Sequence, residues 1–434
     1  MANAFVKNLI TYLLLLSIFV TGEGLLGGPF RFYWYYPIYL FFLVYCIVIY
    51  HRVDYRVILT MLFLVVFSLV TYRSGFSLVV KQLINVCMSL LVFSFLLIHE
   101  NRDMEGLFRK YIKLARWIAI LGFVQVLMFS FQLGHYFMMA FPFLQSYSVT
   151  SRLQSVTQEP SYIAFTFAPI VFVSLHNLFY GGGQFVSKRW GFIFIIAYLL
   201  TGSAIAYFGL MIMLIMIYFK YFTYTRLVFA GFAFAAVLGI GVLLYSSLDN
   251  VKLRVDDTLR GLSVNFFEDQ NYLYVNLSTF SFLTNLNVTK AAFIDHPILG
   301  NGFGTYEILY DKYTPADMKS YTFYFMNRED GSAMLFRLLA ETGIVGLFIF
   351  IYFAFRHKCR ARMSMPPEAL QYWLINSGIF VVVLLALLRN GNYTIHGKML
   401  FFLILYYSWS EYRRVTRQSR ETVTTVLVSP SNQL

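Results

Sequence analysis

The chain has 434 residues, of which 59% are hydrophobic, 20% aromatic and only 13% charged, whereas soluble domains carry about 25% charged residues. That composition excludes an ordinary soluble domain and describes a membrane protein. The formal net charge of +13 does not point to nucleic acid, because most basic residues stand in short clusters between apolar runs, where topology signals sit.

About twelve apolar runs reach, or nearly reach, the ~20 helical residues needed to cross a bilayer. They cover roughly 8–22, 33–50, 57–72, 76–98, 117–140, 160–180, 190–203, 205–222, 227–246, 332–355, 370–389 and 396–410. The first lacks a small-residue cleavage site after it and is expected to be a retained helix rather than a signal peptide. The stretch 190–222 could be one long helix or a hairpin broken at Thr201–Ser203 (TGS). Charge favours the hairpin: SKR (187–189) precedes it, Lys220 and Arg226 follow it, and basic residues prefer the cytoplasmic side. HRVDYR (51–56), RKYIKLAR (109–116), RHKCRAR (356–362) and YRRVTRQSR (412–420) then fall on that side too. Both termini are expected in the cytoplasm, with a disordered tail over 411–434. The expected organisation is helices one to nine in 1–246, one large outer loop at 247–331 containing short helices, and helices ten to twelve in 332–410.

Cys46, Cys87 and Cys359 fall in or beside apolar runs without metal-ligand spacing, so no disulfide framework, metal site or cofactor is expected. The outer loop holds seven Lys or Arg against eleven Asp or Glu, so topology does not account for Arg254 and Arg260 in LRVDDTLRG. Segment 270–294 could form amphipathic helices along the membrane surface. The loop continues with HPILGNGFGTYEILY, placing His296, Gly300, Gly302 and Gly304 together. The spacing is not that of a dinucleotide fingerprint. Such glycines serve a flexible loop, or let backbone amides close around an anion as a nest.

Ionisable residues within or beside apolar runs are functional candidates because burying them is costly. They are Lys81, Arg337 and Glu341 in MLFRLLAETGIVG, and Arg389 in LLALLRNGNY. Arg337 and Glu341 stand four apart and can pair on one helix face, and Arg389 can snorkel to the interface. In TQEPSY, Pro160 suits the first helical position and Glu159 meets the positive helix end. A helix start explains that much. Glutamate, however, is not a favoured cap, and Arg152 stands seven residues earlier on the same outer segment.

The order of Arg152, EPS, TGS, a large outer loop with arginines, HPILGNGFGTY and LLAETGIVGLFIF is similar to the O-antigen polymerase and O-antigen ligase superfamily of bacterial envelope glycan assembly. The resemblance covers about residues 150–350; before it the chain matches only as hydrophobic runs. It implies a GT-C-like, metal-independent, inverting glycosyltransferase at the outer face of the bacterial inner membrane, using undecaprenyl-pyrophosphate-linked oligosaccharide as donor and acceptor. A chain-length regulator is an implied partner. Carried over residue by residue, Arg152 matches the arginine before EPS, Arg254 or Arg260 the loop arginine, and Glu341 the acid of AETG. Ligases show a His-Asn pair about nine residues before that acid, whereas here Ser332 occupies the place. That departure favours a polymerase joining repeat units over a ligase acting on lipid A-core.

The base is then Glu159, Asp330 or the more distant His396. Arg152, Arg254, Arg260, Arg337 and Arg389 are the candidate pyrophosphate ligands, and Tyr162, His296, Gly300, Gly302, Gly304 and His396 the candidate substrate contacts. A lipid-linked oligosaccharide transporter is the reading from another class. It calls for paired repeats and midplane charges, and only the TGS break and Lys81 point that way.

Overall fold

The computed structural model describes residues 2–20, 33–141, 152–181, 183–220, 275–361 and 365–428, with short pieces between 239 and 273. The described residues are all-helical and contain no strand. In chain order the helices are α1 (Ala2–Phe19), α2 (Tyr36–Tyr50), α3 (Tyr55–Thr71), α4 (Phe76–His99), α5 (Met104–Ser130), α6 (Gly134–Ala140), α7 (Pro160–Tyr180), α8 (Lys188–Leu200) and α9 (Ala204–Lys220). They continue with α10 (Leu277–Asp295), α11 (Tyr306–Tyr313), α12 (Met334–Arg356), α13 (Pro367–Leu388) and α14 (Lys398–Val428).

Five of these, α4, α5, α7, α12 and α13, are long and apolar enough to cross a membrane. Parts of α1, α2, α3 and α9 are shorter apolar helices. The expected ninth run, 227–246, lies almost wholly outside the described residues.

Helices α7 and α13 form the centre, and their most apolar windows are 83% and 72% buried. They approach closely because Gly378 has no side chain: a Cβ there would lie 2.8 Å from the Cα of Pro169. Pro169 removes one donor from the α7 ladder, and beside that break the Tyr111 hydroxyl donates to the Thr166 carbonyl. Helices α8 and α9 return and descend along α7, with the break at Thr201–Ser203 and Gly202 at φ +54°. Gly191 lies against Ser174 and Lys220 beside His176, so both outer ends of this pair reach the same end of α7.

Asn376 pins the far end of the centre. Its Nδ2 donates to the carbonyls of His357 and Leu405 and to Ser408 Oγ at 2.9–3.0 Å, and its Oδ1 accepts from the Cys359 amide at 2.7 Å. Buried amides are favourable only when satisfied in this way.

Three expectations are corrected. The run at 117–140 is two helices: α5 starts at Met104 and ends at Ser130, and Gln132 at φ +60° turns the chain into α6. RKYIKLAR therefore lies on a helix rather than in a loop. The segment after Glu411 is helix to Val428 rather than disordered, supported by ion pairs of helical spacing, Glu411 with Arg414 and Arg417 with Glu421.

Candidate functional site

Two apolar clusters build the described part of the segment between α9 and α12. Tyr306, Tyr310, Tyr324, Val288 and Ala292 pack against Ala340 of α12, while Tyr272, Phe280, Leu283 and Met318 form the second. Arg328 ties the α11 surface, reaching Glu307 at 2.5 Å and Asp311 Oδ1 at 2.7 Å. This platform leads directly into residues 327–333 and α12.

The glycine loop and the AETG segment are one unit. Helix α12 is interrupted at Gly343 (φ +61°, ψ −161°), which releases backbone groups on both sides. The amides of Asn301 and Gly302 donate to the carbonyls of Ala340 and Glu341 at 3.1 and 2.9 Å, and those of Ile344 and Val345 donate to Pro297 and Ile298 at 2.9 and 3.1 Å. Gly300 must be glycine: its φ is +73°, and a Cβ would lie 2.4 Å from the Glu341 backbone carbon. An anion nest does form here, and its anion belongs to the protein. The Glu341 carboxylate accepts from the amides of Gly304 at 2.9 Å and Tyr306 at 3.1 Å, from the Tyr393 hydroxyl at 3.0 Å and from Arg337 Nε at 2.9 Å.

Arg337 is equally committed. Its guanidinium donates to Gln82 Oε1 at 2.9 Å, stands 4.4 Å from the Tyr393 ring centre and is 4% exposed. The geometry is that of an internal ion pair holding α4, α12 and the glycine loop together.

A second layer lies beside it, more open to solvent. Arg389 ends α13, where its Nη1 donates to Ser332 Oγ at 3.2 Å. Asp330 Oδ1 accepts the Ser332 amide at 3.0 Å. Tyr162 stands within electrostatic reach of Glu159, Asp330 and Arg389, and its ring lies 4.0 Å from that of His396. Glu159, Tyr162, Asp330 and Arg389 are all half-buried.

Burial raises the Asp330 carboxyl above the usual carboxylate range; the Ser332 amide and the nearby charges of Arg337, Arg389 and Lys398 oppose that rise without cancelling it. Glu159 is the N-cap of α7 but makes no capping bond, and its carboxylate instead accepts the Ser161 hydroxyl at 2.8 Å.

Ser332 and the loop from Arg389 to Lys398 are held in uncommon backbone conformations. Ser332, Asn390 and His396 have φ of +62°, +66° and +57°, a region non-glycine residues seldom occupy and one that concentrates at functional sites. At Gly391 a Cβ would meet the Asp330 carbonyl oxygen at 1.6 Å. The fully buried Lys398 ammonium fixes this loop, donating to the carbonyls of Asn390 and Asn392 and to Asn390 Oδ1. His396 is 1% exposed, with Nδ1 3.4 Å from the Ile18 carbonyl.

The other candidates stand elsewhere. Arg152 lies at the α8 to α9 turn: its carbonyl accepts Gln125 Nε2 at 3.0 Å, and its side-chain stem abuts Gly202. His296 ends α10, where its carbonyl accepts the Gly300 amide at 3.1 Å. Arg260 lies exposed in a short helical piece, Arg254 falls outside the described residues, and Lys81 is exposed on α4. Gln82, Tyr393 and Lys398 are participants that sequence reasoning missed. Only Lys398 carries a signal, as a lysine opening an apolar run.

An apolar cavity of about 560 Å³ begins beside the Arg337–Glu341 layer. Phe303, Tyr393 and Met334 line it near Glu341, and it extends between α3, α4, α12 and α14 to Arg56 and His357 at the far end. The fold and site thus define an all-helical protein with membrane-capable helices and a polar cluster at one end of the bundle. No protein-family model matches the sequence, and no curated protein is significantly similar to it.

Proposed function

We propose that the chain is an inverting, lipid-pyrophosphate-dependent glycosyltransferase, a polysaccharide polymerase of the O-antigen type. The observation that carries this reading is the convergence of Glu159, Asp330, Tyr162 and Arg389, with an apolar cavity that begins at Tyr393 and Met334 and leads away along the bundle. A polyprenyl donor requires both features at once: a polar site for the sugar and pyrophosphate, and a dry groove for the tail. In this reading the helices make twelve crossings of the bacterial inner membrane with both termini cytoplasmic, and the cluster faces outward.

The acceptor hydroxyl attacks the anomeric carbon of the donor sugar from the face opposite the pyrophosphate. The new carbon–oxygen bond forms as the bond to the pyrophosphate oxygen breaks, and the acceptor proton passes to a carboxylate. Asp330 suits that role because its raised affinity for protons makes it a stronger base than an exposed aspartate. Glu159 is the second carboxylate in reach of Tyr162. Arg389 binds the departing pyrophosphate through its paired N–H donors, while Arg152, at the α8 to α9 turn, and the exposed Arg260 are carried as further pyrophosphate ligands by the resemblance alone. Lys398 and the Arg337–Glu341 pair position the loops that carry these groups. The half-buried Tyr162 ring, backed by buried His396, offers a surface against which a sugar face can rest.

The test uses purified protein in nanodiscs with a synthetic undecaprenyl-pyrophosphate repeat unit, resolving products on a gel for wild type, Glu159→Gln and Asp330→Asn. A ladder lost in Asp330→Asn supports the assignment. A ladder unchanged in both variants removes the carboxylates from the chemistry, and no ladder with any of several repeat units removes the polymerase.

A further inference from the structure

At the end of the bundle opposite Arg389, α9, α12, α13 and α14 enclose a second cavity, of about 1370 Å³. Its lining contains seven Lys or Arg side chains and one carboxylate, Glu421. The basic segments RHKCRAR and YRRVTRQSR, far apart in sequence, converge here with Lys220. A topology signal accounts for basic residues at one end of a membrane protein. It does not require them to line a common concavity.

Three details give this cavity the character of a binding site. Two guanidinium groups stand over Trp409, Arg356 at 5.0 Å and Arg413 at 4.9 Å from the ring centre. Lys220 is 4% exposed and places its ammonium 4.1 Å from the Trp373 ring centre. Ser377 lines the cavity, is fully buried, and its hydroxyl has no hydrogen-bond partner among the described residues. Buried hydroxyls are ordinarily satisfied. The wall continues into Ile215, Phe219 and Phe355, which are 45%, 68% and 57% exposed.

We infer that this cavity binds the phosphate headgroup of an anionic membrane phospholipid from the leaflet at this end of the bundle. Excess guanidinium and ammonium groups bind phosphate oxygens, and arginine does so through paired N–H donors. The Ser377 hydroxyl supplies a neutral donor from the cavity floor. The apolar wall selects a lipid over a soluble phosphate, because exposed Phe219 and Phe355 offer acyl chains a surface that a free anion leaves bare. Basic pockets between transmembrane helices commonly serve lipids of this kind. The inference does not depend on the glycosyltransferase reading.

The experiment measures thermal unfolding of the full-length protein in detergent with added cardiolipin, phosphatidylcholine or inorganic phosphate, and counts retained lipids by native mass spectrometry. Arg356→Gln and Arg413→Gln are exposed changes that leave the core intact. Cardiolipin is expected to stabilise the wild type, and each substitution is expected to weaken it about fivefold, as follows from ~1 kcal/mol per basic residue. Arg109→Gln, on α5 and paired with Glu105, is expected to match the wild type. Equal weakening by Arg109→Gln overturns the proposal in favour of diffuse attraction. Equal stabilisation by phosphatidylcholine overturns the headgroup requirement. The same stabilisation by inorganic phosphate makes this a soluble-anion site and overturns the lipid assignment.

Discussion

Arg389 reaches from the end of α13 to donate a hydrogen bond to the Ser332 hydroxyl at 3.2 Å, joining the loop before α12 to the loop before α14. Ser332 is itself held at φ +62°, so the contact fixes two strained loops to one another around Asp330. Arg389→Ala is expected to abolish product ladders while the protein still folds and reaches the membrane. Arg389→Lys is also expected to fail, because an ammonium cannot match the planar fork of a guanidinium on pyrophosphate. Full activity in the lysine variant reduces Arg389 to a point charge.

Arg152 gives a contrasting expectation. Its stem rests on Gly202, so Arg152→Ala removes a guanidinium from the α8 to α9 turn without opening the core. Long-chain product is expected to fall while the amount of folded protein is unchanged. Unaltered chain length in a gel assay removes Arg152 from the site.

Replacing Glu341 should act on stability first. Glu341→Gln leaves the buried Arg337 guanidinium without its charge partner and weakens four hydrogen bonds. Breaking one side of a buried pair costs about 3–5 kcal/mol. Thermal unfolding is expected to drop sharply, with hydrogen exchange rising in residues 300–306 ahead of the rest. A variant as stable as wild type contradicts the structural role assigned to this carboxylate.

The acid limb of the pH–rate profile should belong to Asp330. Its carboxyl titrates above the usual aspartate value and must be ionised to accept a proton. Activity is therefore expected to rise with pH through that raised value, and to keep the same limb in any Glu159→Gln variant that retains turnover. The folding contribution has the opposite sign: it is fully present below the unfolded aspartate value and lost as pH rises through the folded one. An acid limb at the ordinary carboxylate position assigns the base elsewhere.

Asp311 behaves conversely. The Arg328 hydrogen bond depresses its carboxyl below the usual range, so its contribution is present above the unfolded value and lost as pH falls through the folded one. Both partners are partly exposed, and the expected loss in Arg328→Met at neutral pH is about 1 kcal/mol. The gap between wild type and variant is expected to close on acidification. A gap independent of pH excludes this ion pair as its source.

The sequence makes some of these relationships legible and hides others for identifiable reasons. The break at Thr201–Ser203 can be read because a turn tripeptide coincides with basic residues at both outer ends of the run. Arg389 can be singled out because charge beside apolar runs is costly, Glu159 because glutamate is not a favoured cap, and Asp330 only through the resemblance, as an acid on the expected outer side. The partners of Glu341 cannot be read, since two are backbone amides 35 and 37 positions away, and amides leave no mark on residue type. Gly304 and its neighbours invite an external anion for the same reason. Lys398 is hidden by its position at the mouth of a run, where a lysine is unremarkable until its burial is known. The helical continuation past Glu411 is concealed because charged residues at helical spacing resemble a polar tail.

The interruption of α12 at Gly343 sets an order of assembly. Nine residues into an apolar helix, the peptide groups of residues 340, 341, 344 and 345 bond to residues 297–302 instead of completing the α-helical ladder. Bare peptide groups in hydrocarbon cost several kcal/mol each. Residues 297–302 leave the ribosome ahead of α12, so their groups exist before the helix that needs them. The loop acts as a built-in insertion partner for that helix, and deleting it should leave α12 stalled at the membrane surface or cleared by proteolysis.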